Sequence, residues 1–287
     1  MTLVPTRELM HDAVAAGTGV GAFNVVHLET AEAFVAAAET VGLPVILQIS
    51  QNCARYHGGL EPIALATLSA ARASSARVAV HLDHAEDADL ARQGVDLGFG
   101  SIMFDGARLD YEANVAATVR LVEYAHARGV YVEAELGAIG GKDGAHAPGV
   151  RTDPREAARF VSQTGVDALA VAVGTSHAMT ERVASIDRSL VVRLHAALAV
   201  PLVLHGSSGL SDVQIARAIG AGMTKINVST HLNAIFTAAV RACLGHDLAM
   251  VDSRGYLGVG RRSLAHEAGR MITLFANARR ESPAYGE

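Results

Sequence analysis

The 287-residue sequence predicts an eight-stranded (β/α)₈ barrel. Short apolar segments of β character alternate along the chain with longer, alanine-rich segments of helical period, which is the pattern of repeated βα units. The β segments are apolar at nearly every position, as expected of a parallel sheet covered by helices. Eight units follow one another without a linker or a change in composition. These observations favour a closed barrel, with a doubly wound open sheet as the alternative.

The elements follow from this alternation. The predicted strands are 21–26, 44–50, 77–83, 101–104, 130–135, 168–173, 201–205 and 225–228. The predicted helices between them are 29–41, 63–74, 87–97, 111–128, 154–164, 189–198 and 211–219. Glycines that end helices in the left-handed conformation are predicted at Gly42, Gly98, Gly129, Gly165 and Gly220.

Two segments lie outside the eight units. A helix at 6–16 precedes the first strand, and we expect it to close the bottom of the barrel. A C-terminal extension covers 247–287, with residues 256–260 followed by a helix at 263–278. The whole chain, 1–287, is predicted to form one domain.

Composition excludes several classes of protein. The net charge of -5 provides no basic patch for nucleic acid or for an anionic membrane. The two cysteines, Cys53 and Cys243, have no metal-ligand or redox spacing. Charged residues interrupt the apolar pattern of the N-terminus, and no apolar run reaches the roughly 20 residues that span a bilayer. We therefore expect a cytoplasmic protein.

Polar side chains collect where the predicted strands end, and in a parallel barrel those ends share one rim. The exits of strands three, five, six and seven read His81-Leu82-Asp83-His84, Glu133-Ala134-Glu135, Gly174-Thr175-Ser176-His177 and His205-Gly206-Ser207-Ser208-Gly209. Three imidazoles from separate strands, with a fourth position open to water or substrate, are typical of a catalytic zinc site. The predicted ligands are His84, His177 and His205. His81 lies two residues before Asp83 and is predicted to have a structural role in the barrel.

Two neighbouring strand exits suggest a phosphate site. Residues 205–209 combine small and hydroxyl side chains before a helix, a geometry in which backbone N–H groups hold phosphate. Residues 227–230, after strand eight, add a second set of donors. Phosphate sites in barrels commonly follow strands seven and eight, so the two segments support each other.

Taken together, these segments resemble the class II (zinc-dependent) fructose- and tagatose-bisphosphate aldolases. The similarity extends in order through Ala22-Phe23-Asn24, the four strand exits above, Gly140-Gly141, Lys225-Ile226-Asn227 and Asp252-Ser253-Arg254-Gly255-Tyr256-Leu257-Gly258. It implies reversible cleavage of a ketose 1,6-bisphosphate to dihydroxyacetone phosphate and glyceraldehyde 3-phosphate. It also implies that zinc, bound by His84, His177 and His205, stabilises the enediolate left when the C3–C4 bond breaks. Glu135 is expected to contact the metal in an alternative position.

The resemblance also assigns roles around the metal. Asp83 exchanges the proton of the C4 hydroxyl, and Asn24 contacts the substrate. Because neighbouring side chains on a regular strand diverge, Asp83 and His84 can both enter the site only if the strand turns at its end. The alternative role for Asp83 is to cap a helix that starts near Glu86.

Phosphate contacts are implied in the same way. The expected substrate-binding residues are Ser50, Gly174, Gly206, Ser208, Asn227, Ser229, Thr230 and Arg254. Potassium or sodium near Gly174 is a further cation that the resemblance allows. Arg254 is expected to reach the second phosphate from a neighbouring subunit, which implies a homodimer or homotetramer.

Three positions depart from the family pattern. Asp143 stands where a loop glutamate normally moves the C3 proton, Ala178 replaces a glycine, and Ser229 replaces the aspartate of fructose-specific members. Ser229 tilts the predicted substrate toward a tagatose-type ketose. The departures leave two alternatives open: a non-catalytic sugar-phosphate-binding relative and a metal-dependent sugar-phosphate epimerase.

Overall fold

The computed structural model describes residues 2–136, 151–176 and 179–279. Eight parallel strands form a closed barrel in chain order, and β8 pairs with β1 to complete the ring. The strands are β1 Val20–Asn24, β2 Val45–Ser50, β3 Val78–Ala85, β4 Ser101–Phe104, β5 Tyr131–Leu136, β6 Ala168–Val171, β7 Leu202–Leu204 and β8 Met223–Val228. The predicted barrel is confirmed, and the open-sheet alternative is excluded.

Helices cover the barrel from outside. They are α1 Thr6–Ala16, α2 Leu28–Val41, α3 Gln51–Tyr56, α4 Glu61–Ala73, α5 Ala88–Asp96, α6 Tyr111–His126, α7 Pro154–Thr164, α8 Arg188–Ala197, α9 Asp212–Ala221, α10 Thr230–His246 and α11 Ser253–Asn277. Among the described residues, no helix is long and apolar enough to cross a lipid bilayer.

The apolar core has two layers. The larger layer lies between the strands and the surrounding helices, as parallel strands with covered outer faces require. The smaller fills the barrel and includes Ala22, Ile46 and Ala79. Leu9 and Met10 of α1 belong to this interior cluster. The N-terminal helix therefore packs into the barrel interior, which confirms its predicted place at the bottom.

Left-handed glycines end several helices, as predicted. Gly42 and Gly165 have φ values of 65° and 70° and follow α2 and α7 directly. Gly98 and Gly129 also have positive φ. The prediction for Gly220 was wrong, because α9 continues through that residue to Ala221 and ends at Gly222, whose φ is 126°. A side chain at Gly222 would meet the ring of His195, since an added Cβ would lie 2.5 Å from Cγ.

The C-terminal helix differs most from its prediction. It begins at Ser253, ten residues before the predicted start, with Asp252 as its N-cap. Glycines at 255, 258 and 260 disfavour a helix locally, because glycine weakens an isolated helix. Packing reverses that preference: α11 lies against α2 and α10, and a Cβ at Gly260 would approach the Phe236 ring to 2.7 Å. The helix thus needs a glycine there to lie close to α10.

Candidate active site at the carboxyl rim of the barrel

A cavity of about 450 Å³ opens at the carboxyl ends of the strands. It brings together most of the predicted site residues. Those that line it are Asn24, Ser50, Asp83, His84, His205, Gly206, Ser208, Asn227, Ser229 and Thr230. The strand exits therefore converge on one rim, as the barrel topology predicts.

The end of β3 turns so that two adjacent side chains enter this cavity. His84 has a φ of 50°, the left-handed conformation that non-glycine residues seldom adopt, and the pairing of β3 with β4 shifts between Leu82 and Ala85. As a result Asp83 and His84 both line the cavity, and the carboxylate Oδ1 lies 4.0 Å from His84 Nε2. The predicted turn at the strand end is confirmed.

The rings of His84 and His205 are neighbours in the cavity wall, and each has a nitrogen that faces the other. His84 Nε2 and His205 Nδ1 are 2.8 Å apart, and the two rings are nearly perpendicular. One ligand atom from each of Asp83, His84 and His205 lies within 4.8 Å of the others. The three side chains form a compact set of nitrogen and oxygen donors of the kind that binds a transition metal.

Each histidine is oriented by a buried carboxylate behind it. His84 Nδ1 lies 2.9 Å from Asp105 Oδ2, and His205 Nε2 lies 3.1 Å from Glu133 Oε1. If these nitrogens donate to the carboxylates, the facing nitrogens both carry lone pairs. Facing lone pairs repel unless a cation lies between them. Burial and the nearby His84 lower the pKa of His205 to about 4, which disfavours a bound proton and leaves a metal ion as the better fit.

A second group of donors shares His84. Its members are His84, Asp105 and Glu135, whose ligand atoms also lie within 4.8 Å of one another. Glu135 Oε2 is 3.6 Å from His84 Nδ1, on the side of the ring away from His205. Glu135 therefore lies beside a second candidate metal position, next to the one between His84 and His205.

Asp83 is held by three amides. Asn24 Nδ2 donates to Asp83 Oδ2 at 3.1 Å, Gln48 Nε2 reaches the same oxygen at 3.4 Å, and Asn227 Nδ2 reaches Oδ1 at 3.4 Å. Burial alone would raise the pKa of Asp83, but the surrounding basic groups, His84 and His205 first and then Lys225 and His81, outweigh burial and hold that pKa below its usual value. The carboxylate is therefore ionised and able to accept a proton. The capping alternative is excluded, since Asp87 caps α5.

The other side of the cavity carries hydrogen-bond donors. Ser208 Oγ accepts bonds from the backbone N–H groups of Ser229 and His231, which ties the β7 exit to the start of α10. Gly206 has a φ of 66°, and a Cβ there would lie 2.6 Å from the Ser176 carbonyl oxygen. Only glycine allows this close approach. The N-terminus of α10 thus opens onto a cavity wall of small residues, which suits an anion.

Three of the predicted site residues that the structure describes do not line the cavity: Glu135, Gly174 and Arg254. His177 and Asp143 lie outside the described residues, as does Ala178. Gly174 has a φ of 116°, and a Cβ there would lie 2.8 Å from the Ser185 carbonyl oxygen and 3.1 Å from Arg151 Nη2. Arg254 is 89% exposed, pairs with Asp252 and does not line the cavity.

Sequence reasoning missed several polar residues around the site. Gln48, Arg55 and Arg108 line the cavity, and Asp105 orients His84. Asp105 directly follows β4, so the strand-exit rule that found Asp83 could have found it as well. Gln48 shares a strand face with Ser50 and is fully buried, so it was detectable as a polar residue inside an apolar strand.

The fold and the site together define a barrel enzyme with a histidine and carboxylate metal-type centre beside an anion-binding wall. The chain belongs to the class II fructose-bisphosphate aldolase family, whose sequence model matches residues 4–280. It is therefore a ketose-bisphosphate aldolase, an aldehyde-lyase. This finding favours the aldolase hypothesis over the epimerase and non-catalytic alternatives.

Individual proteins that are similar to this chain are also named as aldolases. The fructose-bisphosphate aldolase of Geobacillus stearothermophilus is 39% identical over 268 residues, covering 92% of this chain and 93% of that protein. The fructose-bisphosphate aldolase of Staphylococcus aureus is 36% identical over 284 residues, covering 98% and 99%. The crystal structure of the YdjI aldolase from Escherichia coli K12 superposes with a TM-score of 0.83 at 30% identity, covering 96% and 98%.

Proposed function

We propose that this enzyme cleaves a ketose 1,6-bisphosphate to dihydroxyacetone phosphate and glyceraldehyde 3-phosphate, with zinc held by His84, His177 and His205. The observation that carries the proposal is the pair of imidazole nitrogens, His84 Nε2 and His205 Nδ1, 2.8 Å apart beside an ionised carboxylate. Thr175, two residues before His177, donates to the His205 carbonyl oxygen at 2.7 Å. This bond supports a place for His177 near the other two ligands.

Asp83 is the proposed proton acceptor. When bound, zinc supplies a Lewis acid that polarises the substrate carbonyl and stabilises the negative charge left on the three-carbon fragment. Asp83 takes the proton of the C4 hydroxyl as the C3–C4 bond breaks, so that C4 leaves as an aldehyde. Asn24 and Gln48 hold the carboxylate in place by donating to it, and Asn24 is also the proposed substrate contact. Asp143 is the proposed carrier of the C3 proton, and Glu135 adjoins the alternative metal position.

The substrate phosphates occupy opposite ends of the cavity in this proposal. One is held by Gly206, Ser208, Asn227, Ser229 and Thr230, at the start of α10. The other phosphate lies toward Ser50 of the same chain. Arg254 reaches it from a neighbouring subunit of a homodimer or homotetramer. A potassium or sodium ion near Gly174 completes the site. Arg55 after β2 and Arg108 after β4 supply further positive charge from the same chain, on the side away from β7 and β8.

A direct assay tests the proposed reaction. Purified protein should release dihydroxyacetone phosphate from fructose 1,6-bisphosphate, from its C4 epimer tagatose 1,6-bisphosphate, or from both. A chelator should abolish the release, and zinc should restore it. Because Ser229 stands where fructose-specific members carry aspartate, the tagatose epimer is expected to be the better substrate. Failure of both epimers with zinc present would overturn the proposal.

Replacing Arg55 tests the far end of the cavity. Arg55→Ala should raise KM for the bisphosphate about 3- to 10-fold with little change in kcat, because an exposed guanidinium contributes a modest charge-assisted bond to phosphate. A substrate without the second phosphate should show no such increase. Arg92→Ala, on the outer helix α5, is the matched control. An equal effect on both substrates would assign Arg55 another role.

A further inference from the structure

We propose that Lys225 is a positioning residue: through Glu133 it fixes which nitrogen of His205 carries the proton, and so sets the affinity of the site for a divalent cation. The inference rests on the proposed function, in which His205 binds the metal. Lys225 is one of two lysines in the chain. It lies within β8, is 1% exposed and does not line the cavity. Lys225 has no role in the proposed cleavage reaction.

A buried lysine needs an explanation. Taking an ammonium group out of water costs several kcal/mol, which only close partners offset. Lys225 Nζ lies 2.7 Å from Glu133 Oε2 and 3.1 Å from His81 Nε2, and both partners are buried. Apolar residues of similar volume often give equal or greater stability than a buried ion pair. Stability alone therefore does not account for a lysine at this position.

The ammonium group fixes the direction of the hydrogen bonds below the site. Lysine has donors only, so His81 Nε2 must accept and His81 Nδ1 must carry the ring proton. His81 Nδ1 then donates to Ser101 Oγ at 2.7 Å, and Ser101 Oγ lies 2.7 Å from Thr6 Oγ1 on α1. This chain of bonds holds Lys225 from the bottom of the barrel, which gives His81 the structural role that the sequence predicts.

Glu133 connects Lys225 to His205. Its Oε2 accepts from Lys225, and its Oε1 lies 3.1 Å from His205 Nε2. An ionised carboxylate only accepts, so His205 Nε2 must donate and His205 Nδ1 keeps its lone pair toward His84. Asn227 Nδ2 also lies 3.2 Å from His205 Nε2. A bond from Asn227 would require a bare Nε2, leaving two acceptors 3.1 Å apart, so the carboxylate decides the tautomer.

Loss of Lys225 reverses this arrangement. Without the ammonium group Glu133 Oε2 loses its donor, and the carboxylate is no longer held against His205 Nε2. Asn227 Nδ2, 3.2 Å from that nitrogen, can then donate to it, which places the imidazole proton on Nδ1. The nitrogen that faces the metal position is then blocked. Changes in such outer partners typically weaken metal binding on the order of 10- to 100-fold.

The test uses Lys225→Met and, in case that variant does not fold, the doubly apolar Lys225→Met/Glu133→Leu, which removes the acceptor from His205 Nε2 altogether. Zinc affinity of the metal-free full-length chain is measured by competition with a chromophoric chelator. The ¹⁵N NMR signals of the His205 ring report which nitrogen is protonated. Ile226→Val is the matched control, because this next residue on β8 is buried in the outer core layer and should leave zinc affinity unchanged.

We expect the wild type to carry its His205 proton on Nε2. The variants should bind zinc about 10- to 100-fold more weakly and show His205 protonated, at least in part, on Nδ1. A wild-type proton on Nδ1, or folded variants with unchanged tautomer and affinity, would overturn the role of Lys225. If the wild type binds zinc and His205→Ala does not, such a result leaves the proposed function intact.

Discussion

Asp83→Ala should reduce kcat by about 10²- to 10⁴-fold, the usual contribution of a positioned proton acceptor, while the protein still binds one zinc ion. Asp83 is proposed to act on the C4 hydroxyl rather than on the metal. Its removal leaves both facing histidine nitrogens and their carboxylate partners in place. Dihydroxyacetone phosphate release and metal content by mass spectrometry are the two measurements.

The matched control is Asp89→Ala, an exposed aspartate on α5 that should change neither quantity. Because Asp83 also belongs to the donor set around the two histidines, the metal measurement matters most. Loss of zinc from Asp83→Ala would make this carboxylate a metal ligand and contradict its proposed role as proton acceptor.

His205→Ala should remove both zinc and activity. Its imidazole is fully buried and supplies a nitrogen to the proposed metal position, so zinc affinity should fall by more than the roughly 10- to 100-fold typical of outer-shell changes. Cleavage should become undetectable at ordinary zinc concentrations. Equilibrium zinc binding and the same assay for dihydroxyacetone phosphate check this.

A cavity left by the missing ring can also destabilise the barrel, so thermal unfolding must show that the variant remains folded. His11→Ala removes an exposed imidazole on α1 and serves as the control. A folded His205→Ala protein that keeps stoichiometric zinc would remove His205 from the proposed ligand set.

The barrel could be predicted from the sequence because covered parallel strands leave a clear signal. Nearly continuous apolar segments marked all eight strands, and each strand end lies within two residues of its prediction. The start of α11 could not be predicted, since its glycines disfavour a helix locally. Their value is tertiary: Gly260 makes room for the Phe236 ring of α10. A prediction from local sequence patterns cannot identify such a packing partner.

The site residues that face the cavity could be predicted from the sequence. Asp83, His84 and His205 stand at strand exits, and the barrel alone brings those exits together. The residues behind them were not assigned. Glu133 and Lys225 are 92 positions apart in sequence yet share a 2.7 Å contact. A buried charge in a strand indicates that the charge has a partner. Which residue is that partner depends on the three-dimensional register of the barrel strands.

Anomalous scattering at the zinc absorption edge, from crystals grown with zinc, tests the central claim most directly. A single strong peak should lie about 2.0 to 2.1 Å from both His84 Nε2 and His205 Nδ1, the usual zinc to nitrogen distance. A zinc-bound, active protein whose strongest peak lies away from these two nitrogens would contradict the account.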